Sequence, residues 1–265
     1  MTSHSTARKI ASRFIRAIPF LRRQILVSTD YSVLSGAEEA RQLTHAASGW
    51  TSRRTVRRQE RAYRTLIAAM KAGDVRLDLK IAADAVASTE LNHPSLIEIG
   101  CGSGYYSEVF SHLLPSGVHY TGVDYSTAMV AQARARYPAA QFAVADAARL
   151  PYPEASYDIV FNGVSLMHIV DYESALREAA RVAGSHCILH GVPVFDAPGR
   201  TTYLRKYAYG SPVVEIVFDR QELMTACEKV GLQLQRVWQS IPYDVASITG
   251  RASHSETYLF AVRRY

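Results

Sequence analysis

The sequence predicts an α/β fold built on a doubly wound, mostly parallel β-sheet. After Pro94, short apolar runs alternate with segments of helical periodicity, which is the pattern of consecutive β-α-β units. The first of these runs enters a glycine-rich turn that leads directly into a helix. Apolar residues make up 48% of the 265 residues, enough for a substantial buried core.

The positive charge of the chain is concentrated in its N-terminal third. Residues 1–80 hold sixteen lysines and arginines against six acidic residues, whereas residues 81–265 hold fourteen against eighteen. A basic segment of this kind can attract an anionic partner or can simply be a solvated face. Residues 1–90 are therefore predicted to form a basic helical extension, with peripheral contact to a membrane or another anionic surface as one alternative.

The elements of this extension follow from the helical spacing of its apolar residues. Pro19 is expected to kink the first helix, and Gly73 is expected to end the second. The predicted elements are helices at 7–26, 51–71 and 77–86, with a loop or short helix at 28–50.

Residues 91–265 are predicted to form one α/β domain. Residues 195–218 have no place in its alternation of strands and helices and are therefore interpreted as an insertion. Strands are predicted at 95–100, 118–124, 141–146, 157–164, 186–194, 232–240 and 256–264, and helices near 104–114, 126–137, 172–184 and 219–231.

The strongest local signal is the run Ser-Leu-Ile-Glu-Ile-Gly-Cys-Gly-Ser-Gly-Tyr-Tyr at 95–106. Gly100, Gly102 and Gly104 allow a tight turn and a close approach of ligand to backbone, and the helix that follows directs N–H groups at the ligand. A nicotinamide dinucleotide site would need the spacing Gly-x-Gly-x-x-Gly. Because Tyr105 occupies the position of its last glycine, the segment reads Glu-x-Gly-x-Gly-x-Gly instead.

Two acidic residues follow the next two predicted strands. Asp124 ends the second strand, where a carboxylate can accept hydrogen bonds from both hydroxyls of a ribose. An acid at this position also suits NAD, so Asp124 alone does not exclude a nicotinamide dinucleotide. Asp146 ends the third predicted strand. Ligands of such sheets bind at the carboxyl edge of the strands, so both carboxylates are expected at one site.

The segment from Glu98 to Gly104 resembles the first motif of the class I S-adenosylmethionine-dependent methyltransferases, and the order of the later segments agrees. The resemblance covers 95–195 by motif and 219–264 by topology. It implies a Rossmann-like, seven-stranded, mostly parallel sheet of order 3-2-1-4-5-7-6 with an N-terminal helical extension. It also implies S-adenosylmethionine as the cofactor, with the helix that carries Arg58, Gln59 and Tyr63 as a candidate lid over it.

The resemblance further implies a set of cofactor-binding residues. Glu98 is expected to organise the site near the amino-acid portion, Asp124 to bind the ribose, and Asp146 to accept from the adenine amino group. Ala147 is expected to offer its backbone N–H. The full predicted set is Glu98, Gly100, Cys101, Gly102, Asp124, Tyr125, Asp146, Ala147, Asn162 and Gly163.

His168 is the candidate catalytic residue. It follows the fourth strand, on the side where a reactive methyl group should point, and imidazole suits proton removal near neutrality. The same position also suits a histidine that only packs beside Met167. His190, inside the fifth strand, is more simply explained as a residue that fills the sheet.

The methyl acceptor is expected to be a small molecule, with a hydroxyl of a sugar or secondary metabolite as the first hypothesis. The alternatives are a larger anionic target, RNA or a lipid-linked glycan, and a non-catalytic module that keeps the cofactor pocket. The run Asn162-Gly-Val-Ser lacks the prolines that would frame a flipped base, so no DNA partner is expected. No metal site is expected, and widely spaced cysteines without an apolar run of 18 residues predict a cytoplasmic protein.

Overall fold

The computed structural model describes residues 28–47 and 49–264, so the predicted helix at 7–26 lies outside the described residues. Short 3-10 turns occupy Gly49–Thr51 and Leu166–His168. In chain order the other elements are β1 (Ser28–Val33), α1 (Ala37–Ala46), α2 (Arg53–Lys71), α3 (Leu77–Ala87), β2 (Ser95–Ile99), α4 (Tyr105–Leu113), β3 (His119–Asp124), α5 (Thr127–Arg136), β4 (Gln141–Val144), β5 (Tyr157–Gly163), α6 (Tyr172–Val182), β6 (Ala183–Phe195), β7 (Thr202–Ala208), β8 (Ser211–Val217), α7 (Arg220–Lys229), β9 (Leu232–Gln239), α8 (Ala246–Thr249) and β10 (Ser253–Val262).

The central sheet has seven strands in the order β4-β3-β2-β5-β6-β10-β9. The strands from β4 to β6 are parallel, and β10 runs antiparallel to both of its neighbours. When only the seven strands of this sheet are counted, in chain order from β2, the order is 3-2-1-4-5-7-6. This is the predicted order, so the predicted Rossmann-like fold is confirmed. The parallel strands all end at one edge, where ligands of such sheets bind.

Helices cover both faces of this sheet, which explains why the parallel strands are continuously apolar. Along β5, Ile159 and Phe161 pack with α2, α3 and α4, whereas Val160 packs on the opposite face with α6 and α7. Burying a side chain of this size stabilises the fold by about 1.5–3 kcal/mol. Among the described helices, none is long and apolar enough to cross a lipid bilayer.

A second, three-stranded antiparallel sheet has the order β1-β7-β8 and is called the accessory sheet here. The predicted insertion at 195–218 supplies β7 and β8, which are joined by a two-residue turn at Tyr209 and Gly210. Both turn residues have a positive φ, 49° and 84°, as hairpins with two-residue turns of this type require.

The prediction of a loop or short helix at 28–50 holds for α1 and the 3-10 turn at Gly49–Thr51, but it missed strand β1. Its partner is β7, with Ser28 opposite Ala208 and Val33 opposite Leu204. Because this partner lies far along the chain, local spacing in the sequence carries no sign of the pairing.

A smaller correction concerns strand β4. It ends at Val144, so Asp146 lies in the following turn and not at the strand end.

Candidate active site

Strand β2 runs directly into a tight turn at the carboxyl edge of the central sheet. The N–H groups of Gly100 and Cys101 both donate to the carbonyl of Val123, at 2.8 and 2.9 Å. Gly100 has a φ of 75°, and a Cβ atom there would lie 2.5 Å from both Cβ and Oγ of Ser165. A larger residue at this position would therefore strain the backbone and collide with Ser165.

The helix after the turn begins without a side-chain cap. The N-cap residue of α4 is Gly104, which has no side chain to accept from the first helical N–H groups. Of these donors, the N–H of Ser107 donates to the carbonyl of Gly104 at 3.1 Å, and the others can meet a ligand or water. The Cys101 thiol lies in an apolar cluster with Val130 and Phe142. Burial raises the pKa of this thiol.

The carboxylate of Asp124 fixes the turn from the β3 side. Its Oδ2 accepts from the N–H of Gly102 at 2.9 Å, and its Oδ1 accepts from the N–H of Ser126 at 2.8 Å. Burial raises the pKa of Asp124, although both backbone hydrogen bonds oppose the increase. Each oxygen of a carboxylate can accept more than one hydrogen bond, so Asp124 still has capacity for a ligand.

Glu98 lies at the same edge, with 1% of its surface exposed. The Tyr120 hydroxyl donates to its carboxyl group, and a Cβ atom on Gly163 would lie 2.7 Å from its Oε1. Burial raises the pKa of Glu98 to about 8; the Tyr120 hydrogen bond opposes this increase, and Asp124 adds to it. Glu98 is therefore mostly uncharged at neutral pH.

This shift predicts how the stability of the ligand-free protein depends on pH. A carboxyl whose pKa rises on folding favours the folded state most at acidic pH, and this contribution is lost as pH rises toward 8. Glu98→Gln cannot ionise, so we expect its stability relative to wild type to improve between pH 5 and pH 9. Urea unfolding at several pH values measures the difference, and a difference that stays constant would contradict the shift.

The predicted adenine-side residues lie on the open side of the site. The Asp146 carboxylate is exposed and accepts from the N–H of Ala148 at 2.9 Å. Ala147 is partly buried beside it, and Tyr125 is half exposed. The structure thus leaves these groups accessible to a ligand, and their binding roles stay predictions.

The end of β5 is shaped by two unusual features. The buried side-chain carbonyl of Asn162 accepts from the N–H of Leu166 at 2.7 Å, so this residue holds the 3-10 turn in place. Val164 has a φ of 56°, which is rare for a β-branched residue, and its N–H donates to the carbonyl of His190 at 2.9 Å. Backbone strain of this kind concentrates at functional sites.

His168 is fixed by the accessory sheet. Its Nδ1 lies 2.6 Å from the carbonyl oxygen of Val214 on β8. A carbonyl oxygen can only accept, so Nδ1 carries the proton and Nε2 is an acceptor. Burial lowers the pKa of His168 to about 3, and the Lys206 ammonium adds to the decrease. The ring is therefore neutral at physiological pH but is a weak base.

Trp50 is a site residue that the sequence analysis missed. Its ring lies 4.9 Å from the His168 ring and 6.2 Å from the Tyr209 ring, between centroids. Its carbonyl accepts from Oγ of Ser126 at 3.2 Å. Trp50 thus connects the Asp124 side of the edge with His168. A large aromatic residue in a short loop after Gly49 was the available signal.

Two buried polar atoms without a partner lie at the glycine turn. Within the described residues, the buried side-chain atoms without a hydrogen-bond partner are Oε1 of Gln59, Oγ of Ser103, the hydroxyl oxygen of Tyr106, Oε2 of Glu108 and Nε2 of His190. Ser103 belongs to the turn itself, and Oε1 of Gln59 would lie 3.1 Å from a Cβ atom on Gly102. Leaving such a group unpaired costs about 1–3 kcal/mol. These two atoms are therefore available to a polar ligand at the turn.

Comparisons with known proteins agree with this geometry. A family model described as a methyltransferase domain matches residues 97–189. A probable S-adenosylmethionine-dependent methyltransferase from Mycobacterium tuberculosis is 34% identical over 115 residues, which cover 42% of this chain and 41% of that protein. Residues 97–189 of the chain are therefore similar to a methyltransferase domain. It spans about two fifths of the length of these curated relatives.

Two further comparisons concern one curated relative and one solved structure. Trans-aconitate 2-methyltransferase from Paracidovorax citrulli is 38% identical over 82 residues, 31% of each chain. The structure of a TehB-like methyltransferase from Corynebacterium glutamicum superposes with a TM-score of 0.53 and 16% identity, covering 78% of this chain and 98% of that one. At this identity, the structural likeness shows the fold alone.

The mycobacterial relative is named as dependent on S-adenosylmethionine, the predicted cofactor, and the residues at this edge fit its chemistry. Its ribose hydroxyls and adenine amino group are donors, which suit the carboxylates of Asp124 and Asp146. The glycine turn offers a cradle that side chains would fill, and two of the unpaired buried atoms lie beside it. The structure brings Glu98, Gly100 and Asp124 together. The assignment of each residue to a part of the cofactor stays a prediction.

Proposed function

We propose that this methyltransferase transfers a methyl group from S-adenosylmethionine to a small-molecule acceptor, with a hydroxyl as the methylated group. The observation that carries the proposal is the contact between His168 and Val214, through which the accessory sheet covers the acceptor side of the cofactor edge. A covered site suits a small acceptor that enters and is enclosed. It is less suited to a polymer, which needs an open groove.

Further contacts close the same side. Nη1 of Arg58 on α2 donates to the carbonyl of Tyr209 at 2.6 Å. The hydroxyls of Thr55 and Ser211 lie 3.0 Å apart. These bonds join α2 to the tip of the β7–β8 hairpin, so helix and accessory sheet together form a roof that includes Trp50. Such a roof excludes water, which strengthens polar interactions inside the site.

The residues of the chain mainly align the acceptor. S-adenosylmethionine supplies an already activated methyl group, so alignment can contribute about 7–11 kcal/mol to lowering the barrier. His168 is neutral with Nε2 as an acceptor, so it can hold a hydroxyl proton and direct the oxygen lone pair at the methyl group. With a pKa of about 3, His168 orients the hydroxyl more effectively than it removes its proton beforehand.

A larger anionic target is the second candidate, and the exposed arginines of α2 favour it. Arg53, Arg57 and Arg61 recur at four-residue spacing on an exposed face, and no ion pair is recorded for them within the described part of the chain. Like charges at this spacing destabilise a helix by about 0.2–0.5 kcal/mol per pair. If RNA is the acceptor, its binding must fall steeply with salt concentration, whereas methylation of a small neutral acceptor must hardly change.

His168→Ala tests the proposed role directly. We expect turnover to fall by about 10²-fold, with the affinity for S-adenosylhomocysteine unchanged, because His168 lies on the acceptor side. The assay combines tritium-labelled cofactor with fractionated cell extract, and identification of the labelled product gives the acceptor. Because the His168 pKa is about 3, the wild-type rate should show no step from this residue between pH 5 and pH 9.

Three outcomes would contradict the proposal. Equal turnover in wild type and variant would remove His168 from the reaction. A labelled product that is RNA or another polymer would favour the second candidate. A protein that binds the cofactor product but labels nothing in any fraction would support the non-catalytic alternative.

A further inference from the structure

We propose that Gln59 of α2 binds the amino-acid end of the cofactor and accepts a hydrogen bond from its ammonium group. The inference rests on the proposed function only in requiring S-adenosylmethionine at this edge. It assigns a cofactor contact to a helix outside the matched methyltransferase segment, residues 97–189.

The position of Gln59 is the first argument. Its side chain is 8% exposed, and its Oε1 has no hydrogen-bond partner among the residues that the structure describes. A Cβ atom on Gly102 would lie 3.1 Å from this Oε1 and 3.6 Å from Nε2. The amide therefore lies directly over the glycine turn, where the absence of a side chain on Gly102 leaves room for it.

The second argument is that α2 is fixed on both sides of Gln59. Before it, Thr55 contacts Ser211 at 3.0 Å. After it, the Tyr63 ring stacks on the Tyr105 ring with 3.9 Å between centroids. With the helix held at both points, the amide of Gln59 is kept over the turn. A buried acceptor in such a position is expected to have a partner, because leaving it unpaired is costly.

The hydrogen-bond donors of S-adenosylmethionine identify the partner of Gln59. S-adenosylmethionine carries three kinds of hydrogen-bond donor: the adenine amino group, two ribose hydroxyls and the ammonium group. Asp146 is the predicted acceptor for the first, and Asp124 for the second. The ammonium remains. Glu98 is already engaged, because its carboxyl accepts from the Tyr120 hydroxyl and its Oε1 would lie 2.7 Å from a Cβ atom on Gly163. Gln59 supplies the missing acceptor.

The test is a binding cycle measured by calorimetry on the full chain. The ligands are S-adenosylhomocysteine and its deaminated analogue, which lacks only the ammonium group. The proteins are wild type, Gln59→Leu and a control, Arg61→Gln, which changes an exposed residue of the same helix. We expect Gln59→Leu to weaken S-adenosylhomocysteine binding by about 10- to 100-fold, the range for hydrogen bonds to charged groups. The deaminated analogue should bind wild type and Gln59→Leu equally, within twofold.

Each outcome decides a different point. Unchanged S-adenosylhomocysteine affinity in Gln59→Leu would overturn the inference, and so would equal weakening of both ligands, which would mean a contact elsewhere or a displaced helix. If wild type bound neither ligand, the cofactor site itself would be refuted. Should Gln59→Leu fail to fold, Gln59→Met preserves the length of the side chain and completes the same cycle.

Discussion

Asp124→Asn is expected to weaken S-adenosylhomocysteine binding by about 100-fold and to lower the stability of the ligand-free protein by about 1–3 kcal/mol. The loss of affinity comes from replacing a charged acceptor of the ribose hydroxyls. The loss of stability has a separate cause. Both carboxylate oxygens accept backbone N–H groups, from Gly102 and Ser126. An amide has one oxygen, so one of these buried donors loses its partner.

Calorimetry and urea unfolding measure the two effects separately. Asp158→Asn is a control at the opposite edge of the sheet, because a single carboxylate oxygen, Oδ2, accepts from both the N–H and the hydroxyl of Ser95, at 2.8 and 2.7 Å. The one oxygen of an asparagine can accept both bonds, so this variant should change neither the stability nor the affinity for S-adenosylhomocysteine appreciably. An Asp124→Asn protein that binds as tightly as wild type would refute the ribose assignment.

Lys206→Met is expected to destabilise the protein by about 3–5 kcal/mol. Lys206 on β7 and Glu215 on β8 form an ion pair in which the side chains are 9% and 2% exposed. Glu215 also accepts from the hydroxyl of Tyr243 at 2.7 Å, and the ammonium faces the Tyr31 ring, 5.9 Å from its centroid. Removing the lysine leaves a carboxylate buried without its cation.

The double variant Lys206→Met, Glu215→Leu distinguishes the pair from its surroundings. Replacing both partners by apolar residues removes the unpaired charge, so much of the lost stability should return. Thermal and urea unfolding give the free energies. Affinity for S-adenosylhomocysteine should change less than twofold in either variant, because the pair lies in the accessory sheet and not at the glycine turn. A single variant that costs less than about 1 kcal/mol would show that solvent reaches the pair.

The central sheet and its ligand edge could be predicted from the sequence because their signals are local. The strand, turn and helix around Gly100 are contiguous, and Asp124 follows its strand directly. Parallel topology then brings these separate strand ends to one edge without further information. Asp146 was displaced from the strand end by only two residues.

The rest of the site depends on contacts between distant segments. Trp50 contacts His168, although more than a hundred residues separate them in the sequence. The separation between β1 and β7 is longer still. No periodicity in the sequence records such pairs. The same reason explains why the weak basicity of His168 could not be predicted, because it arises from burial and from Lys206 on the accessory sheet. The sequence analysis expected His168 to take up a proton near neutral pH because that is usual for an imidazole side chain.

The pairing of Ser28 with Ala208 has a consequence for biosynthesis. A ribosome makes β1 early, and 180 further residues must be translated before its hydrogen-bonding partner exists. At about 5–20 residues per second, this delay is on the order of ten to forty seconds. During that interval the edge of β1 that later pairs with β7 has no partner strand, so the accessory sheet can form only after the β7–β8 hairpin has been made.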